Sequence, residues 1–98
     1  MVLEHALLSV VTGQEEDFEA SFDEASAIIA GMPGFGRLTL SRCLERPGTY
    51  LLLVEWDRLE DHTVGFRGSP EYQRWRRLLH RFYEHFPVVE HFEQVLIA

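Results

Sequence analysis

Trp56, His62, Phe66, Tyr72 and Trp75 gather flat rings and one titratable imidazole in a short stretch. His62 has the side-chain type of a general base near neutral pH, or it is a histidine on a helix surface. Trp56 either packs in the core with a partner for its N–H or lines a pocket for a flat aromatic molecule. Phe66, Tyr72 and Trp75 can wall such a pocket, although an apolar stripe on a helix is more often core. Arg42 stands on a strand face with Leu38, Leu40 and Leu44. A buried Arg needs a counter-charge, so it either pairs with an acid or anchors an anionic oxygen. His5 and His91 are also single polar residues on otherwise apolar strand faces.

Other chemistry finds little support. His80 and His85 are five apart and diverge on a helix, unlike an i, i+4 metal-binding pair, so both read as surface histidines and no metal site is expected. Cys43 has no basic helix terminus to make it reactive. Ser9, Ser41 and Ser69 occupy no nucleophile elbow. Gly31, Gly34 and Gly36 surround a proline and break a helix rather than cradle a phosphate. The chain contains no Lys, which excludes a Schiff base on a side-chain amine.

The elements that must hold these groups follow from periodicity. Val2 to Val11 reads as a strand that is largely apolar on both faces. Thr12-Gly13-Gln14-Glu15 fits a capping box, and Phe18, Phe22, Ala25 and Ile29 form one stripe of a helix stopped by Gly31, Pro33 and Gly34. Phe35 to Glu45 and Thr49 to Trp56 read as a hairpin around Arg46-Pro47-Gly48. Asp57, with Glu60 three residues on, predicts a helix start that weakens at Gly65 and Gly68. Ser69-Pro70 predicts a second start, with the stripe Tyr72, Trp75, Leu79, Phe82 and Phe86 running to Pro87. Val88 to Ile97 reads as the last strand.

The order βαββαβ predicts one α+β domain over residues 1–98: a ferredoxin-like four-stranded antiparallel sheet with both helices on one face. The other face needs cover. Strands one and three have no polar side, and leaving a whole apolar sheet face wet costs many kcal/mol at about 25 cal/mol per Å². A homodimer packed through sheet faces is therefore expected.

The 98 residues, net charge of −7 and single cysteine bound the remaining possibilities. The negative charge argues against nucleic-acid binding. One cysteine forms no intramolecular disulfide, and a cytoplasmic protein is the simplest expectation. Glu4 and His5 interrupt any signal-like apolar run, and the run Leu51 to Val54 is too short for a membrane span.

The strand ending in Trp56, the helix start Leu59-Glu60-Asp61-His62, the second start Ser69-Pro70-Glu71-Tyr72 and the strand Val88-Val89-Glu90-His91-Phe92 resemble the antibiotic biosynthesis monooxygenase family. The likeness in element order spans the whole chain and is sharpest over residues 54–92. It implies a dimeric α/β barrel and oxygen chemistry without metal, flavin or haem on a phenolic, quinol or polyketide-like aromatic. In that reading His62 is the base, Arg42 the anion partner, Trp56, Phe66, Tyr72 and Trp75 the walls, and His5 and His91 further substrate contacts. Many members carry a histidine shortly before a Ser-Pro pair. His62 matches in type, with a longer gap to Ser69. A haem-degrading branch uses an Asn on the first strand; this chain has no Asn, which disfavours a haem-binding relative. The alternative is a non-catalytic dimer that binds a small apolar ligand, favoured by the lack of a strong acid–base pair at fixed spacing.

Overall fold

The computed structural model describes residues 1–98 as one open sheet backed by two helices. The strands are β1 (Val2–Ser9), β2 (Phe35–Arg42), β3 (Thr49–Trp56) and β4 (Val89–Glu93); the helices are α1 (Glu15–Ala30) and α2 (Pro70–Leu79). The sheet order is β2-β3-β1-β4, and every pairing is antiparallel. This is the ferredoxin-like arrangement expected from the element order. The sheet is open, with edges at β2 and β4.

Pleating decides which side the helices cover. Glu4, Ala6 and Leu8 on β1 and Tyr50, Leu52, Val54 and Trp56 on β3 point under the helices and are buried. The α1 stripe expected from its spacing, Phe18, Phe22, Ala25 and Ile29, is fully buried against them. Phe18 meets Tyr50 at 4.9 Å, and Phe22 meets Trp75 of α2 at 5.4 Å. These residues belong to a single core of 15 buried apolar side chains, so the two helices and the sheet cannot come apart separately.

Several boundaries differ from the sequence expectation, each for a local reason. The N-cap of α1 is Gln14, not Thr12; Glu15 turns back to accept from the Gly13 N–H at 3.0 Å, so no Thr12 capping box forms. β2 ends at Arg42, and Leu44 lies in the hairpin loop, almost fully exposed. α2 starts where expected, with the Ser69 hydroxyl accepting from the Tyr72 N–H at 3.2 Å and Pro70 at N1. It stops at Leu79 rather than near Phe86. A tight turn over His80–Phe82 follows, and the chain is drawn onto the end of β1 by Val11 N–H to Phe82 O and Glu84 N–H to Ser9 O, both 2.9 Å. Phe86 is left exposed. β4 stops at Glu93 because Glu93 already pairs with Val2, near the start of β1; Val95, Leu96 and Ile97 have no strand left to pair with.

The segment after β3 departs most from an ordinary helix. Asp61–Phe66 winds as a widened π-type turn, with the Arg67 N–H reaching His62 O, five residues back, at 3.1 Å. Such turns are rare and often mark functional sites. The reach-back cap comes from Asp61, which accepts from the Arg58 N–H at 3.1 Å, and not from the expected Asp57 and Glu60 pair. Gly34 makes room for it. Its φ is +82°, and a Cβ there would collide with the Asp61 carboxylate. Gly34→Ala is expected to cost roughly 1–2 kcal/mol for the left-handed backbone alone, with a further loss from displacing Asp61. Urea unfolding should show a lowered midpoint; an unchanged midpoint would remove Gly34 from this role.

Candidate active site

A cavity of about 60 Å³ lies between the sheet and the helices. Its polar lining is Glu4 from β1, His62 and Arg67 from the π-type turn and its end, Tyr72 from α2, and His80 and Tyr83 from the turn beyond. Phe66, Trp75 and Val89 supply apolar wall. The widened turn matters here because it carries both His62 and Phe66 inward over Trp56.

At the inner end sits a buried polar cluster. Glu4 and His62 are the only polar residues in the fully buried set, 5% and 4% exposed. The Trp56 indole Nε1–H donates to Glu4 Oε1 at 3.0 Å, and His62 Nε2 lies 3.3 Å from the same oxygen. His62 Nδ1 lies 2.8 Å from His91 Nε2, so one of these nitrogens donates and the other accepts. The His62 ring stacks on Trp56 with centroids 5.5 Å apart and planes 18° from parallel. His62 Nδ1 is thus engaged with His91 and its Nε2 lies against Glu4 Oε1, while no protein group donates to Glu4 Oε2.

Burial sets the charge states. Desolvation raises the Glu4 pKa above the usual carboxylate value, opposed by the Trp56 hydrogen bond and the Arg67 charge. Desolvation, then Arg67 and His91, lowers His62 to about 3, so its imidazole is neutral at physiological pH. His91 and His80 are lowered for the same leading reason. Burial also raises Tyr83 well above a free phenol. The site thus sets an uncharged His62 beside one carboxyl, with the Arg67 guanidinium at the cavity border.

The structure brings together most of the residues singled out from sequence. Phe66, Tyr72 and Trp75 border the cavity; Trp56 and His91 lie behind it, in contact with His62. His5 is on the opposite sheet face, edge-on to Phe92 at 5.5 Å. Arg42 is outside the cavity. It makes two hydrogen bonds to Glu19, at 2.7 and 2.6 Å, and Tyr50 donates to the same carboxylate at 2.6 Å. Of the two readings of Arg42, pairing with an acid is what the geometry contains. Tyr50 and Trp56 sit at opposite ends of β3, about 20 Å apart at strand rise, so Arg42 is remote from His62. The Glu19 carboxyl is held down to about 2 by Arg42 and then Tyr50.

Four polar residues of the cavity are not among the sequence candidates: Glu4, Arg67, His80 and Tyr83. His80, read as a surface histidine, borders the cavity and has a buried Nδ1 without a partner. Glu4 was passed over as the polar start of a strand. The available signal was the face Glu4-Ala6-Leu8-Val10, one acid on an apolar row, together with Trp56 and His91 on matching faces.

The family model for antibiotic biosynthesis monooxygenase matches residues 1–78, and the chain belongs to that family. The protein YczJ of Bacillus subtilis (strain 168), itself uncharacterized, is 57% identical over 95 residues, 97% of this chain and all of that one. A solved structure from Bordetella bronchiseptica that carries the family name superposes with a TM-score of 0.93 at 35% identity, over 97% of each chain. SnoaB from Streptomyces nogalater, a cofactor-independent oxygenase, shares the fold with a TM-score of 0.85 at 21% identity, over 98% of this chain and 94% of that one. No helix is long and apolar enough to cross a membrane.

The lowered His62 value has a thermodynamic consequence. The unfolded chain takes up a proton at His62 below about pH 6.5, whereas the folded chain does not until about pH 3. Stability from this group is therefore lost as pH falls through that window, by at most about 1.4 kcal/mol per pH unit. Urea unfolding between pH 7.5 and 5 should show a shallower loss for His62→Gln than for the wild type, whatever the variant's absolute stability. Identical slopes would contradict a buried neutral His62.

Proposed function

We propose that this chain is a cofactor-independent monooxygenase for a phenolic, quinol or polyketide-like aromatic, with its chemistry in the cavity between sheet and helices. The observation that carries this reading is the carboxyl of Glu4, buried at an aromatic-lined cavity with Trp56 and His62 on one oxygen and the other free of protein donors. Proton abstraction from a bound phenol belongs to Glu4 Oε2, because burial lowers the His62 imidazole pKa to about 3 and its Nδ1 is engaged with His91. His62 then acts behind Glu4 instead of touching substrate. The deprotonated, electron-rich ring reduces O2; one oxygen atom ends in the product and the other leaves as water. The protein's part is a base, a dry site and nearby positive charge from Arg67, which takes the anion-stabilising role in place of Arg42.

The cavity is small. An apolar cavity that admits benzene measures about 150 Å³, so an aromatic substrate must displace part of the wall. Tyr83 and Pro87 stand on the irregular stretch between α2 and β4 and are the groups placed to yield. With an anthrone-type or juglone-type substrate in an oxygen electrode, Glu4→Gln should lower the rate by about 10²–10⁴-fold, the usual share of a general base. Arg42→Gln should leave it unchanged. Full turnover in Glu4→Gln would reject the assigned base. A ligand-induced rise in melting temperature with no oxygen uptake by the wild type would favour the non-catalytic binding reading.

We further infer a homodimer through the open sheet face. That face carries Leu3, Leu7, Leu51, Leu53 and Phe92, with Leu7 44% and Phe92 47% exposed. A hollow of about 360 Å³ opens there between Leu3, Leu53 and Phe92, rimmed by Arg37 and Glu55. A second copy of the same face would bury these groups and close the two open sheets into a barrel. Sedimentation at micromolar concentration should give twice the 11.4 kDa chain mass, and Leu53→Glu should give single chains. A wild-type protein that sediments as single chains would overturn the dimer.

A further inference from the structure

We propose that Glu4, His62 and His91 form a proton relay that joins the carboxyl at the buried end of the cavity to the β4 edge of the sheet. Two contacts link the three groups across two strands and the widened turn. Glu4 Oε1 is 3.3 Å from His62 Nε2, and His62 Nδ1 is 2.8 Å from His91 Nε2. The chain of contacts enters His62 by one nitrogen and leaves by the other, as proton transfer through an imidazole requires and as joint coordination of a metal ion does not. His91 pairs with Glu4 across the strands and stands on an edge strand, half-buried, while Glu4 and His62 are fully buried. The relay therefore runs from the interior outward.

The protons balance as follows. With Glu4 ionised, His62 carries its hydrogen on Nε2, facing Glu4, and accepts at Nδ1 from His91 Nε2–H. A proton arriving at His91 Nδ1 releases the His91 Nε2 proton to His62 Nδ1, and the His62 Nε2 proton passes to Glu4 Oε1. One proton has entered, Glu4 is neutral, and both imidazoles have exchanged tautomers. A proton received at Oε2 joins this path when the carboxyl turns about its Cγ–Cδ bond and presents that oxygen to His62 Nε2; the reverse sequence then returns the proton to solvent and restores the carboxylate. Neither histidine ends charged, which suits a site where burial and Arg67 disfavour an imidazolium. The Trp56 N–H holds Oε1 in place at 3.0 Å. Arg67 from the end of the π-type turn, Tyr72 from α2, and His80 and Tyr83 from the turn beyond it are the other charged or titratable groups bordering this end of the cavity. Arg67 favours the ionised form of Glu4.

The use of this relay in turnover rests on the oxygenase reading above; the relay itself does not, so its test needs no substrate. Imidazole ¹⁵N spectra of the resting protein distinguish the two tautomers from the imidazolium. As pH falls through the Glu4 midpoint, His62 should switch from Nε2–H to Nδ1–H without passing to imidazolium. The Trp56 indole N–H resonance, which reports the charge on Glu4, should shift with the same midpoint. Glu4→Gln should abolish the switch, and His91→Phe should suppress it. A fixed His62 tautomer, an imidazolium at His62, or a switch that survives His91→Phe would overturn the relay. Should either variant fail to fold, the wild-type pattern decides alone. Absent oxygen uptake with an intact tautomer switch would remove only the oxygenase reading.

Discussion

One carboxyl on an apolar strand face organises this molecule. Glu4 is taken out of water under two helices, and a buried carboxyl is costly unless it is hydrogen-bonded. The Trp56 N–H meets that demand and the His62 ring packs against the same oxygen, so these contacts set where both rings lie. Trp56 closes β3 and His62 rides the turn that follows, so satisfying Glu4 ties the first strand to the end of the third. The widened turn is the backbone consequence: it brings His62 and Phe66 onto Trp56 together. Asp61 and Gly34 then hold the start of that turn against the entrance to β2.

A second polar cluster, Glu19, Arg42 and Tyr50, shows the contrast. Its short hydrogen bonds join α1 to the hairpin at the far end of the sheet, but its Arg is largely exposed. Solvent screening makes such a pair worth little. It serves as a surface clasp. The Glu4 cluster is smaller in formal charge and far more consequential, because its groups cannot turn to water instead.

Much of the frame was legible in the residue pattern. The α1 stripe, the span of β3 and the Ser69-Pro70 start of α2 depend on local chemistry, namely helical period, strand alternation and capping, which a sequence displays directly. The features that failed are those set by tertiary contact. The end of α2 is determined by where Phe82 and Glu84 meet β1, and the end of β4 by where β1 begins. No residue type announces a π-type turn, since it exists to place His62 and Phe66 over a tryptophan. Glu4 escaped notice because an acid near a strand terminus is ordinarily wet; only the fold puts it under Trp56. The roles given to His62 and Arg42 had the same weakness, since residue type identifies a possible base or anion partner and only geometry shows which atoms are free.

The account stands on the free oxygen of Glu4 facing whatever the cavity binds. A crystal structure of the protein soaked with a juglone-type inhibitor tests this most directly. The account predicts a phenolic oxygen within hydrogen-bond distance of Glu4 Oε2, with Tyr83 and Pro87 displaced to admit the ring. An inhibitor seated only on the open sheet face, beside Leu3, Leu53 and Phe92, with the Glu4 cavity unchanged, would contradict it.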